Sequence, residues 1–461
     1  MTTKITEQNI SNISNAAVQW QTVVTADGST ATTAVAGYGY FIDTTSAAHT
    51  VNLPNTASVG DTIILKDYTG TWGTNNVTIS STLKISGADA DGTLSTNNTT
   101  VTVVYMDTTK GWTPIQNSTQ SALAIDPAYV TATGGTITTS GDYKIHSFTG
   151  DGCFVVSCGG NPTGSTSVDY LVVAGGGAGG SNRGGGGAGG GYRESSGAAS
   201  GCYSISPLGA CVSGISVSVT TYPVTVGGGG AIVPAPADCS VGGSGSNSVF
   251  STITSAGGGG GGSRDRVTGA NGGSGGGAGS SGCGGGPSTG GTGNTPPVSP
   301  PQGQPGGNGA RGSPYSGGMG GGGATFQGST NNTPVPGVTP NGQSGGVDVG
   351  PSEGGMGVDG GQGATTSISG SSTGYSGGGA GGGSLQPHWT PNPGEGGTGG
   401  IFGNPATGGT PLFGAGNGGP NGTAGSSGTA NTGGGAGGGG GSGANGGAGG
   451  KGIVIIRYKY Q

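Results

Sequence analysis

Apolar and polar positions change rhythm several times along this chain. Residues 1–25 are polar, with a shallow apolar recurrence at Ile5, Ile10, Ile13 and Val18 that ends at Trp20. From Tyr38, short runs of Val, Ile, Thr and Tyr are divided by turn residues, as in YGYFID, HTVNLP, DTIILKDY, NVTIS, LKISG and TTVTVVYMD. Such runs suit a pleated, half-buried surface, and they predict an antiparallel sandwich or barrel that ends near Trp112. A link, NSTQSALAIDPAY, follows. A second strand-rich stretch begins at Thr136 with TITTSGDYKIHSF, CFVVSC and VDYLVV, and the last of these runs straight into AGGGAGG. Far downstream, GGAGGKG gives way to IVIIRYKY. Alternation puts Val454, Ile456, Tyr458 and Tyr460 on one face of that closing run, and this face is expected to be buried.

Composition explains what lies between. Of the 461 residues 120 are Gly, and 103 of these fall within residues 175–452 against 17 in residues 1–174. The organisation expected is an attachment segment (1–25), a β-sandwich or barrel module (26–118) and a linker (119–133). Then come the β part of a C-terminal domain (134–174), a glycine-rich block (175–452) and a closing strand (453–461). The fold class is all-β modules plus glycine-rich helices bracketed by strands, with little α-helix.

Ordering such a block is costly, because each fixed glycine gives up about 1–2 kcal/mol of backbone entropy or more. A three-residue left-handed helix of the polyproline II type turns its amides and carbonyls outward. Without side chains, such helices can pack closely and bond on several sides at about 1 kcal/mol per bond. The expectation is therefore a lattice of polyglycine II type, with a flexible linker as the alternative. Collagen is excluded, since stretches such as YSISPLGACVSGISVSVTTYPVTV break the obligatory third-position Gly.

Charge and motifs narrow the function by exclusion. The net charge is −6 and only 7% of residues are charged, which gives no footprint for nucleic acid. No run approaches the apolar length of a membrane span, and MTTKITEQNISN has no secretory apolar core. GxGxxG strings are inevitable at this Gly content and none sits in a βαβ unit. The three histidines, His49, His146 and His388, form no HExxH or clustered ligand set, so neither a zinc site nor any cofactor is expected. Asp89 and Asp91 in GADADG lack the full calcium-loop pattern and read as a solvated turn. Cys153 and Cys158 have opposite strand parity and should not pair, whereas a Cys202–Cys211 disulfide within one loop is sterically easy.

The pieces TSGDYKIHSF, VDYLVVAGGGAGG, GGGAGGGYR, YPVTVGGGG, SVFSTITSAGGGGGG and GGAGGKGIVIIRY, in that order, resemble the glycine-rich domain of bacteriophage tail fibres and adhesins of marine phages, including those of cyanobacteria. Residues 38–115 resemble a β module of the same fibres. The resemblance implies a non-enzymatic virion protein that docks on tail, neck or baseplate proteins through its N-terminus. It further implies a homotrimer without membrane insertion, assembled in the host cytoplasm and exposed outside the cell, that meets a host glycan or outer-membrane protein through its non-Gly loops. Those loops are residues 193–225, 295–315, 325–339, 385–393 and 401–413, and the receptor-binding candidates are Tyr315, Phe326, His388, Trp389, Phe402 and Phe413. Exposed rings in polar loops suit sugars, because a ring face stacks on their C–H surface; the other reading of each ring is packing within the lattice or between copies. The alternative for the whole chain is a purely architectural appendage, such as a neck whisker, capsid decoration or spacer fibre.

Overall fold

The computed structural model describes residues 18–115, 124–201, 203–209, 211–235, 238–265, 267–280, 288–309, 317–330, 357–383 and 413–461. Nearly all regular structure there is β, with one turn of 3-10 helix at Pro207–Gly209. No helix among the described residues is long and apolar enough to cross a membrane. The chain divides into two units, Met1–Tyr129 with Gly160–Thr166, and Val130–Gly159 with Ser167–Gln461.

The first unit holds β1 (Gln19–Trp20), β2 (Val24–Thr25), β3 (Thr32–Thr33), β4 (Tyr38–Asp43), β5 (His49–Asn52) and β6 (Thr62–Asp67). It continues with β7 (Val77–Ser80), β8 (Gly92–Leu94), β9 (Thr100–Tyr105), β10 (Trp112–Pro114) and β11 (Ala124–Ile125). In one sheet β1 and β2 both pair with β4, followed by β6, β9 and β10; the other runs β3-β5-β7-β8-β11. From β2 to β7 the chain alternates between the sheets, and each strand lies parallel to the next strand of its own sheet. This corrects the antiparallel expectation, which holds only from β8 onward. Half-buried strands alternate in the same way in either arrangement. Here each turn delivers the chain to the facing sheet, so the facing strand serves as the crossover that parallel pairing needs. Between the sheets lie Ile42, Val51, Ile63, Leu65, Val77, Ile79, Val101 and Val103, with Trp72 and Trp112. Although residues 1–25 read as a separate segment, β1 belongs to the sheet. Its Trp20 ring lies against Gly39, where a Cβ would strike it, and stacks on Phe41 at 4.4 Å.

In the second unit are β12 (Val130–Thr133), β13 (Thr136–Ser140), β14 (Tyr143–Phe148), β15 (Gly152–Gly159), β16 (Ser167–Val173), β17 (Tyr192–Glu194) and β18 (Ile215–Ser216). After these come β19 (Thr221–Thr225), β20 (Ser248–Phe250), β21 (Ile253–Ser255), β22 (Ala364–Thr366), β23 (Thr373–Tyr375) and β24 (Ile453–Lys459). The expected linker therefore ends early, since β12 pairs with β15. One sheet runs β12-β15-β19-β20-β21 and a second β13-β14-β24-β16-β17, with β18 also on β16. Phe154, Val156, Val224 and Phe250 of the first sheet pack against Tyr170, Val172, Val454, Ile456 and Tyr458 of the second. The opposite face of the second sheet, with Leu171, Val173, Ile453 and Ile455, packs on Ala364, Ile368 and Tyr375 around the β22–β23 hairpin. Burial on both faces explains why YLVV and IVII are unbroken apolar runs, with Asp169 and Arg457 the buried charges beside them. The face of β24 expected to be buried is so through Tyr458, and Ile453, Ile455 and Arg457 on the other face are buried too.

Strands β16 and β24, before and after the glycine block, pair antiparallel in register from Asp169↔Arg457 to Val173↔Ile453. Beyond them the block is held by backbone bonds with a period of three. Amides 175 and 178 donate to Ser246 and Gly243, 176 and 179 to Gly450 and Gly447, and 177 and 180 to Ala188 and Gly185. Along the next pass, 184, 187 and 190 donate to Gly439, Ala436 and Gly433, while 185, 188 and 191 donate to Gly262, Gly259 and Ala256. Gly186 and Gly189 donate to Met319 and Gly322. Residues 175–180 and 184–191 are entirely buried, so backbone replaces side chains as the packing material. At Gly179 a Cβ would overlap the carbonyl oxygen of Gly437, and at Gly187 that of Gly177.

Candidate functional site

Among the described residues, each pass of the block runs away from the sheets or back toward them, so the turns described fall at two ends. Residues 175–180 leave β16, residues 184–191 return to β17, and 181–183 turn between them at the outer end. That turn is a hub. Asn182 donates from its backbone to Ala444 (2.8 Å) and from Nδ2 to Asp238 Oδ1 (2.7 Å), and its Oδ1 accepts from the Gly443 amide (3.3 Å). The carbonyls of Ser181 and Arg183 accept from the amides of Arg264 (3.3 Å) and Ser280 (3.2 Å). Beneath them the hydroxyls of Ser181, Ser263 and Ser240 form a chain with 3.1 Å steps. Asn182 and Arg183 take up left-handed backbone conformations, with φ of 52° and 62°, which makes the reversal tight.

Around this hub the outer end carries Asp238 and Cys239, both exposed, the Arg264–Asp265 pair at 3.5 Å, and Asn421, Ser442 and Asn445. These are amides, hydroxyls and a few charges, two of them paired. Among the described residues no three His, Cys, Asp or Glu side chains come together as a metal site.

The residues singled out from sequence fall elsewhere. Tyr315, His388, Trp389 and Phe402 lie outside the described residues. Phe326 is half-buried at the sheet end, where its amide donates to Gln362 just before β22 (3.3 Å). Phe413 is also half-buried there, its side chain lying over Gly363 and Gly374. Both rings thus sit beside the β22–β23 hairpin. The stretch from Thr295 is at the same end, since Gln302 accepts from the amides of Tyr192 and Ala256 at 2.8 Å each. Cys211, suggested as a partner of Cys202, is an exposed free thiol at a left-handed turn, and Cys202 itself lies outside the described residues. Cys153 and Cys158 are both free.

Of the stretch 193–225, expected at a tip, Ser195, Ser200 and Ser206 are pinned onto the second sheet of this unit by two buried carboxylates, and Thr221–Thr225 is β19 of the first sheet. Asp169 accepts from Ser195 Oγ (2.7 Å) and from Ser200 N and Oγ (2.6 Å each). Glu194 Oε2 accepts from Tyr192 Oη (2.8 Å), Ser206 N (2.9 Å) and Ser206 Oγ (2.6 Å), and burial raises its pKa above the ordinary carboxylate value. The Arg457 guanidinium lies over the rings of Tyr143 (4.6 Å) and Tyr203 (5.3 Å), and burial beside Asp169 and Glu194 raises the Tyr203 phenol. This polar layer fastens a loop; it is sealed from solvent.

His146, on β14, is fully buried and serves the core. Its Nδ1 is 2.7 Å from the Gly134 carbonyl, so Nδ1 carries the proton and Nε2 accepts from Tyr458 Oη at 3.1 Å. Tyr458 Oη in turn accepts from the Ala132 amide (3.2 Å). Burial lowers the pKa of His146 and pushes that of Tyr458 up to about 12.

In the sequence Ser181, Asn182 and Arg183 carry little signal, because three residues scarcely interrupt the Gly run. A signal was nevertheless present: the triplet SNR separates two runs of small residues that end in strands, the pattern of a hairpin of helices.

Fold and site together define an all-β protein whose second unit is completed by a backbone-bonded glycine array. A family described as glycine-rich domain matches residues 159–459, and the chain belongs to that family. No curated protein matches the chain.

Proposed function

We propose that this chain is a non-enzymatic virion protein, a bacteriophage tail fibre or receptor-binding adhesin, that presents the outer end of its glycine block to a host surface glycan or outer-membrane protein. The observation that carries the reading is the convergence of turns from distant parts of the block on the hub at Asn182, where short polar segments are held on a rigid support. The resemblance of residues 38–115 and of the pieces flanking the glycine runs to marine phage fibres supports it. The three-residue period of bonding reads as packing of polyglycine II type. On this reading residues 1–17 belong to the segment that docks on tail, neck or baseplate proteins, and the working form is a homotrimer.

Binding of the labelled full chain to a panel of marine cyanobacterial cells tests the proposal. The expected result is saturable binding to some strains, reduced at least tenfold by Arg183→Glu and Asn182→Ala. Absence of binding to every strain that the parent virion infects overturns it in favour of an architectural appendage, such as a neck whisker, capsid decoration or spacer fibre.

A further inference from the structure

In the first unit, strands β4 and β6 turn Tyr40, Ile42, Ile63 and Leu65 into the core, so alternation leaves Gly39, Phe41, Ile64 and Lys66 on the outer face of their sheet. Trp20 of β1 stands opposite Gly39 and joins that face. Its indole is seated on the backbone there, since a Cβ at Gly39 would come within 2.7, 2.8 and 2.9 Å of three of its ring atoms. Glycine at 39 is what lets the ring settle so closely. The indole also stacks on Phe41, with centroids 4.4 Å apart and planes 21° apart. Just past β6, the Tyr68 ring meets Phe41 edge-on, at 6.4 Å and 66°. The three rings make an open corner, with Trp20 and Phe41 as its floor and Tyr68 as its side. Trp20 is 45% exposed and Tyr68 56%.

Two charged side chains flank the rings on this face. Lys66 stands opposite Phe41, and its Nζ donates to the Asn98 carbonyl at 2.8 Å. Asp43 lies two residues beyond Phe41 on β4. Its Oδ1 accepts from Thr45 N (3.0 Å), Thr45 Oγ1 (2.7 Å) and Thr69 Oγ1 (3.1 Å), and among the described residues Oδ2 accepts from nothing.

We infer that this corner binds a neutral sugar ring of a polysaccharide. A pyranose offers C–H surface to a ring face and hydroxyls at its rim, which matches an indole and a phenol beside a carboxylate with one vacant oxygen. An apolar partner would bury that oxygen without a donor, at a cost. An ionic partner would meet one positive and one negative charge side by side, so attraction to one is offset by repulsion from the other. The seat on Gly39 holds the indole in place beforehand, so little freedom is lost on binding. The inference does not rest on the outer end of the glycine block, because it concerns the first unit alone.

Affinity electrophoresis of the full chain, in gels cast with hydroxyethylcellulose, dextran or galactomannan, tests it. At least one of these neutral polysaccharides is expected to retard the chain. Trp20→Ala and Tyr68→Ala should each weaken the retardation about tenfold or more, with an unchanged far-ultraviolet circular dichroism spectrum. Ile137→Ala, exposed on β13 of the second unit, should leave it unchanged. A second readout needs no substitution: oxidation of indoles by N-bromosuccinimide, located by peptide mass spectrometry. Trp20 should react in the free chain and be protected by the retarding polysaccharide, whereas the buried Trp72 and Trp112 should stay unreactive throughout. No retardation by any of the three, retardation that both variants keep, or a Trp20 already unreactive in the free chain because protein covers it, overturns the inference.

Discussion

The phenol of Tyr458 donates to Nε2 of His146 across 312 residues of sequence, joining the last strand of the chain to β14, its neighbour in the sheet. The bond requires a neutral imidazole, because Nδ1–H is committed to the Gly134 carbonyl. Protonation of Nε2 would set two donors against each other.

Acid should therefore destabilise this unit. Burial holds the folded pKa of His146 below its ordinary 6.5, outweighing the bond to the Gly134 carbonyl, which raises it, and the Lys144 charge adds a smaller lowering. The unfolded chain then takes up the proton first. The stabilisation is complete above about pH 6.5 and declines as pH falls through that value toward the folded pKa. Denaturant midpoints measured from pH 8 to 5 should show the decline, and His146→Gln should flatten it. His49, lowered by burial in the first unit, acts in the same direction there.

Glu194 pulls the other way. Its folded pKa is raised, so its contribution is complete below about pH 4.5 and is lost as pH rises through the folded value. Glu194→Gln should accordingly compare better with wild type at pH 8 than at pH 5. An equal difference at both pH values would show that the carboxyl is not titrating as its burial demands.

Glycine substitutions should separate by position. Gly179→Ala and Gly187→Ala drive a Cβ into a carbonyl oxygen, and each should cost about 1–3 kcal/mol or more in chemical denaturation. A Cβ at Gly228 meets nothing within 4 Å. Gly228→Ala, measured where the chain is monomeric, should be neutral or raise stability by about 0.4–1 kcal/mol by restricting the unfolded chain.

Amide exchange should follow burial as well as hydrogen bonding. Residues 175–180 and 184–191, buried and bonded at every amide, are expected to exchange only on unfolding of the unit, whereas 422–430, bonded at most amides but lying on the exposed side of the array, should exchange sooner. Coil-like exchange across 175–191 would remove the array from consideration.

Truncation before Ile453 should loosen the whole block. β24 lies between β14 and β16 with both faces buried, so its loss opens two ladders and two cores at once. Cleavage after Arg183, Arg193 and Arg264 should accelerate greatly against the intact chain. Equal resistance would show that the closing strand is dispensable.

Much of this was legible in residue order. Period-two runs marked β4, β6, β9 and β14, and near-continuous apolar runs marked β16 and β24, because a strand with one buried face must alternate and one with two buried faces must be largely apolar. The apolar runs on either side of the block pointed to one β domain with the block inserted, and the structure adds that the two strands pair directly. The residue pattern could not distinguish a parallel coil from an antiparallel sandwich, because alternation records burial and carries no direction.

The site shows the same division. Sequence alone determined that the chain joins β modules to a glycine-rich block interrupted by short polar and aromatic segments. Which end of the block each interruption occupies depends on how many times the chain has reversed before reaching it. Glycine runs without side chains do not mark where a pass begins or stops. Phe326 and Phe413 looked like tips and lie by the sheet; Ser181, Asn182 and Arg183 looked like a minor break and hold the outer end together. Only the tertiary structure decided this, because each pass finds its partners through backbone groups that every residue has alike, and their pairing is settled by the three-dimensional array as a whole.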